Sequence, residues 1–286
     1  MAQLVEQLTF NHWVTGSNPV RLTTKINDLV FRSSLGSSIV HFLPTIVKRF
    51  LNALGPKIMT DKQHRIKALI HSIVTYLQDH GVGMYGVDLT LDKLKGMDLS
   101  DEKLIDLPPQ GTRHDEVLKN AIAGIDAPEL RDIKIHLAAA KDDLIWREDN
   151  AQFYPPGADL GEGYTKCNLH TQLIGPAACG YQHPDFRLGI FMLGPRTLYR
   201  DHNHDAPELY LNLSERSGWR FGTPDWQDYP AGSFIWNAAG RPHAIRVYEQ
   251  PFLSVFVWLE NVNSPCNVIH FDDWAEVEQD LAKQPN

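Results

Sequence analysis

Cysteine is scarce in this chain: Cys167, Cys179 and Cys266 are the only three in 286 residues, widely spaced and without a C-x-x-C pair. That excludes a disulfide framework or a cysteine-built zinc module, and it fits a reducing compartment in which the three thiols serve as small apolar core residues. Long apolar runs are lacking too. No stretch of about 18 uncharged apolar residues exists, and the N-terminus carries no cationic segment followed by an apolar one, so neither a membrane span nor a secretory signal is expected and the default address is cytoplasmic. Positive charge is in deficit, with 27 Lys plus Arg against 35 Asp plus Glu, a net charge of −8 and no basic run. A nucleic-acid partner is therefore not expected. What remains, 43% apolar and 10% aromatic residues, suits a soluble protein with one full-sized core and room for a smaller second one.

The chain divides by composition into three parts. Residues 1 to about 24 have weak helical spacing followed by turn residues, and this string resembles the peptide obtained when a transfer-RNA gene is read in the wrong frame. An apolar patch over Ser33 to Leu54 is interrupted by Pro44. Residues 1–58 are thus expected to be disordered or an upstream extension, with a start at Met59. Thr60 and Gln63 then form a capping box, Ile66, Leu69, Ile70, Ile73 and Leu77 fall at helical spacing, and Gly81 supplies a stop. Helical patterns resume at 115–125 and 128–140, so 59–145 reads as a helical region. From Trp146 onward, short runs rich in Phe, Tyr, Trp, Val and Ile alternate with Gly, Pro, Asn and Asp, which predicts a β-sandwich or barrel over 146–286 with a short C-terminal helix at 271–283. The expected fold class is α+β.

The chemistry concentrates in Asp201 to Tyr210. His202, His204, Glu208 and Tyr210 share even parity, so on an extended chain they point to one face. A third imidazole, His243, follows a Gly-Arg-Pro turn. Three His and one carboxylate are ligands that zinc, iron, nickel and manganese all accept. The bland alternative is a solvated polar strand face, but two imidazoles, a carboxylate and a phenol are costly to bury unless something pairs with them.

These residues resemble the motifs of the cupin barrel. H-x-H-x3-E is met by His202, His204 and Glu208; G-x5-P-x-G-x2-H-x3-N is met by Gly232, Gly240 and His243, with Ala238 and Val247 where Pro and Asn are usual, and Glu215 where a glycine is expected. The departures touch turns, not ligands. Within cupins, Glu-Leu-Tyr with Tyr210 two residues beyond the glutamate, behind a helical N-terminal region, resembles the cupin-type dimethylsulfoniopropionate (DMSP) lyases, most strongly over 140–262. The resemblance implies a jelly-roll, a single divalent metal on His202, His204, Glu208 and His243, Tyr210 as the base, and β-elimination of DMSP to dimethyl sulfide and acrylate. It also implies a homodimer paired through its sheets.

Such an elimination takes a proton from the carbon beside a carboxylate, which is poorly acidic until a Lewis acid spreads the developing charge. A phenol of ordinary pKa about 10 needs a nearby cation to act as base near neutral pH. A sulfonium group suits aromatic faces. Trp236, on the strand leading to His243, is the first candidate for it, with Tyr181 and His183 of a Gly-Tyr-Gln-His-Pro turn behind. Three His and a Glu serve other cupin chemistries as well. An isomerase, an iron-dependent dioxygenase and a non-enzymatic small-molecule-binding cupin are the competing expectations.

Overall fold

The computed structural model describes residues 59–283, so the expectations for 1–58 lie outside the described residues. Helix α1 (Asp61–His80) begins with the predicted capping box: Gln63 N–H donates to Thr60 Oγ1 at 3.2 Å, and Thr60 N–H donates to Gln63 Oε1 at 3.0 Å. It ends where Gly81 N–H donates to Leu77 O. Helix α2 (Tyr85–Lys95) follows almost at once, burying Val87, Leu91 and Leu94 at helical spacing. Helices α3 (Asp115–Ala123) and α4 (Arg131–Ala140) complete the N-terminal layer.

After the short α5 (Glu162–Lys166), the described residues form eleven strands: β1 (Asn168–Gly175), β2 (Tyr181–Gln182), β3 (Arg187–Leu193), β4 (Leu198–Asn203), β5 (Glu208–Asn212), β6 (Arg216–Arg220), β7 (Gln227–Pro230), β8 (Phe234–Asn237), β9 (His243–Arg246), β10 (Phe252–Trp258) and β11 (Asn267–Val268). One sheet has the order β2-β1-β3-β10-β5-β8 and the other β11-β4-β9-β6-β7. All pairs are antiparallel except the short β1–β2 pair. Helix α6 (Trp274–Ala282) closes the described chain. This is α+β architecture, with N-terminal helices followed by a jelly-roll.

Parity along the strands of the six-stranded sheet assigns their side chains to two cores. Leu188, Ile190 and Met192 of β3, Leu209 and Leu211 of β5, and Leu253, Val255 and Val257 of β10 share one core with Leu69, Ile73, Leu77 and Leu137 of the helices. The intervening residues Phe191, Tyr210, Phe252, Phe256 and Trp258 join a second core with Trp219 and Ile245 of the other sheet. Helices therefore cover one face of this sheet, leaving the other to line the barrel interior.

Candidate active site

Asp201 to Tyr210 is not one strand. The chain leaves β4 after Asn203, turns through 204–207, and enters β5 in the opposite sheet at Glu208. The four even-numbered side chains meet because two strands face each other across the barrel, not because one extended face carries them all. His243 joins from β9, where its Cα is in register with that of His202.

His202, His204 and His243 are all buried, and one ring nitrogen from each lies within 4.8 Å of the others. Each imidazole is held from behind. His202 Nδ1 is 2.8 Å from Arg200 O, His204 Nδ1 is 2.8 Å from Ala206 O, and His243 Nδ1 is 3.0 Å from Arg241 O. A backbone carbonyl only accepts, so each Nδ1 carries the proton and each Nε2 is left with a lone pair. His243 Nε2 is buried with no hydrogen-bond partner. Burial, then the charges of His243 and His204, hold the His202 pKa well below its ordinary value, favouring the neutral ligating form. The three-histidine group can thus hold a metal ion, with backbone carbonyls fixing the rings as outer partners do at metal sites.

Glu208 stands beside this group, its Oε2 3.3 Å from both His204 Nε2 and His243 Nε2. Its oxygens are further held by Trp258 Nε1–H at 2.7 Å and Asn237 Nδ2–H at 3.2 Å. Burial by itself raises this carboxyl, while His204 and His243 beside it draw it well below the usual range, and the Trp258 and Asn237 donors favour its charged form.

Tyr210, one residue pair further along β5, lines the same cavity as His202, His204 and Glu208. Burial first, then the Glu208 charge, pushes its phenol well above the ordinary value. Other members carry weaker sequence signals. Tyr199 has odd parity relative to His202, but the β4–β9 register slips between these two residues and lets both rings reach the cavity, stacked at 4.1 Å. Its hydroxyl is 2.5 Å from that of Tyr154, which comes from a loop. Phe191, Phe256 and Trp258 extend the aromatic wall, and Cys266 lines it as a thiol pushed up to about 12 by burial and then Glu208.

The three residues expected to bind substrate are not brought to this cavity. Trp236 pairs in register with Leu209, on the helix-facing side of the sheet, and packs edge-on against Tyr85. Its neighbour Ile235, in register with Tyr210, is the residue that faces inward. Tyr181 donates its hydroxyl to Leu99 O at 2.9 Å. His183 accepts from Asp185 N–H through Nδ1 at 3.2 Å, inside its own turn.

Fold and site together define a cupin-class jelly-roll whose interior carries a buried three-histidine group able to hold a metal ion. The DMSP lyase family profile matches residues 108–254, just over half of the 286-residue chain. The chain belongs to the DMSP lyase family and is a lyase. Among solved structures, a chain from the crystal structures of the DMSP lyases RdDddP and RnDddQII is similar at 17% identity and a TM-score of 0.56, covering 73% of this chain and 100% of that one. The DMSP lyase DddQ from Ruegeria pomeroyi DSS-3 is similar at 17% identity and a TM-score of 0.55, covering 72% of this chain and 96% of its own. At that identity the likeness is one of fold. No curated protein matches the chain. Among the described residues, no helix is long and apolar enough to cross a membrane.

Proposed function

We propose that the chain cleaves DMSP to dimethyl sulfide and acrylate by β-elimination, with Tyr210 as base and His202, His204, Glu208 and His243 holding one divalent transition metal. The observation that carries this reading is the presence of Tyr210 in the cavity of the histidine group, beside a carboxylate and under an aromatic wall. Iron, zinc, nickel and manganese all suit the donor set. When bound, the ion supplies Lewis-acid charge for the substrate carboxylate and for ionising the adjacent phenol.

The chain's own groups do the rest. Tyr210 oxygen takes the proton from the carbon beside the carboxylate. The electron pair left behind becomes the new carbon–carbon double bond as the carbon–sulfur bond breaks. Dimethyl sulfide departs neutral with the bonding pair, so no acid has to protonate it, and one proton-transfer residue is enough. Phe191 and Phe256 offer ring faces to the sulfonium, and with Tyr199 and Trp258 they exclude water.

The test is headspace detection of dimethyl sulfide, with acrylate assayed in parallel, on purified protein loaded separately with each of the four metals. Equal release of both products, abolished by chelation, is the expected result. Silence from protein shown to hold metal would overturn the reading.

A further inference from the structure

The same cavity contains a buried cation. Arg187 opens β3 on the inner face, in register with Trp258, which is itself in register with Glu208. Its residue exposure is 7%, and it lines the cavity. The guanidinium carbon sits 5.0 Å from the Phe153 ring centroid and 5.2 Å from that of Trp258. Ring faces attract and steady the cation but offer no acceptor in the plane of its N–H groups. Nε is buried with no hydrogen-bond partner.

Elsewhere this fold shows what a structural buried guanidinium looks like. Arg220, fully buried, is matched by the carboxylates of Asp201 and Asp273. Arg187 has no such match among the described residues. The two acids lining its cavity are committed elsewhere, Glu208 to Trp258 and Asn237, and Asp149 to Tyr164 Oη–H at 2.8 Å and Gln152 N–H at 3.1 Å. Burial, then Arg147 and Arg187, pulls neighbouring His170 down to about 4, so it adds no second cation there at neutral pH. An unpaired guanidinium taken out of water is costly to keep, and its planar fork is the side chain best shaped for a carboxylate.

We propose that Arg187 is the carboxylate receptor of this cavity and the residue that sets the direction in which a zwitterionic substrate lies. The inference rests on the lyase reading for the identity of that substrate. A cation at this end repels a sulfonium, so only the carboxylate is accepted there and the sulfonium is turned toward the rest of the aromatic wall. A carboxylate has about four lone-pair sites on its two oxygens, so a guanidinium fork that takes two of them leaves acceptor capacity facing the histidine group. Arg187 is thus a specificity residue for three-carbon acids, rejecting amides and esters of the same shape.

The experiment compares propionate with propionamide by titration calorimetry on metal-loaded wild-type, Arg187→Gln and Arg187→Lys proteins. KM and kcat for DMSP are measured on the same samples. Wild type should bind propionate and discriminate against propionamide. Arg187→Gln should weaken propionate ~10- to 100-fold, the range for losing a charge-assisted hydrogen bond, and leave propionamide unchanged. KM should rise by a similar factor and kcat should fall less. Should the Arg187→Gln protein fail to melt cooperatively, Arg187→Lys is read in its place, since it keeps the charge but not the fork; severalfold weaker propionate binding with an unchanged melt supports the receptor. Propionate affinity equal to wild type in a folded variant overturns it. Arg187-dependent propionate binding without any dimethyl sulfide from wild type would overturn the lyase reading and leave the receptor standing. Dimethyl sulfide release with propionate binding indifferent to Arg187 would do the reverse.

Discussion

Replacing Asp201 by alanine should cost this protein a large part of its stability without touching any cavity-lining side chain. Asp201 and Arg220 both have fully buried side chains. Arg220 donates Nε–H to Asp201 Oδ1 at 2.9 Å and Nη2–H to Oδ2, while Trp274 of α6 donates Nε1–H to Oδ2 at 2.8 Å. Alanine would strand the Trp274 donor and leave Arg220 with Asp273 alone, at 2.6 Å from Nη1. Removing one partner of a buried pair typically costs about 3–5 kcal/mol. Asp273 is only two-thirds buried but still answers part of the charge, so the lower end, about 3 kcal/mol, is expected. For a protein of this size that corresponds to roughly 6–12 °C in Tm. Melts should be followed by circular dichroism and by calorimetry, with metal present and after chelation. Metal retention should weaken in parallel, because the same pair ties α6 to the strand that carries His202. A variant melting within roughly 2 °C of wild type would refute the assignment of this pair as the brace behind the site.

Three further outcomes are expected. Tyr210→Phe should retain its metal and its ring contact with Trp219 at 4.9 Å, and lose kcat by ~10²- to 10⁴-fold, the usual contribution of a general base; retention of most activity would remove Tyr210 as the base. His243→Ala should lose both metal and activity, read by elemental analysis of the dialysed protein, and full metal occupancy would show that His243 is not a ligand. His170 has a pKa of about 4 in the folded chain against 6.5 for the free side chain. The unfolded chain therefore takes up a proton that the folded chain refuses as pH falls, so the contribution is intact above about 6.5 and lost toward 4, up to about 3 kcal/mol. Urea midpoints at pH 7.5 and 5 should fall further for wild type than for His170→Gln, and equal falls would show that the His170 titration is not the cause.

The residues that declare themselves in the sequence are those whose chemistry and spacing make a recognisable local motif. The capping box at Thr60 and Gln63, the Ile66 to Leu77 stripe, and the histidine and carboxylate motif are local patterns, legible without knowing what packs against them. Helix α2 is harder to see because Gly83, Met84 and Gly86 suggest a loop at its start, although Val87, Leu91 and Leu94 keep helical spacing. Tyr199 escapes a strict period-two reading because the register slip in β4 changes which way its ring faces. Tyr154 belongs to a loop with no period at all. Trp236 lies outside the cavity by a single step of parity, since proximity in sequence to His243 says nothing about which side of β8 a ring occupies. Arg187 looks like an ordinary strand opening until its lack of an acid partner among the described residues is seen, and that lack is a tertiary fact.

The division of the six-stranded sheet into a helix-facing side and a barrel-facing side limits how this gene can change length. In β5, Leu209 and Leu211 serve the hydrophobic core shared with the helices, while Glu208 and Tyr210 line the cavity. Inserting one residue within the strand would exchange those sides for every position downstream of it, placing a phenol among leucines and a leucine in the cavity wall. Inserting two restores the alternation. Lineages of this protein should therefore carry their insertions and deletions in the turns, and any that fall inside β3, β5 or β10 should come in even numbers or be absorbed by a bulge.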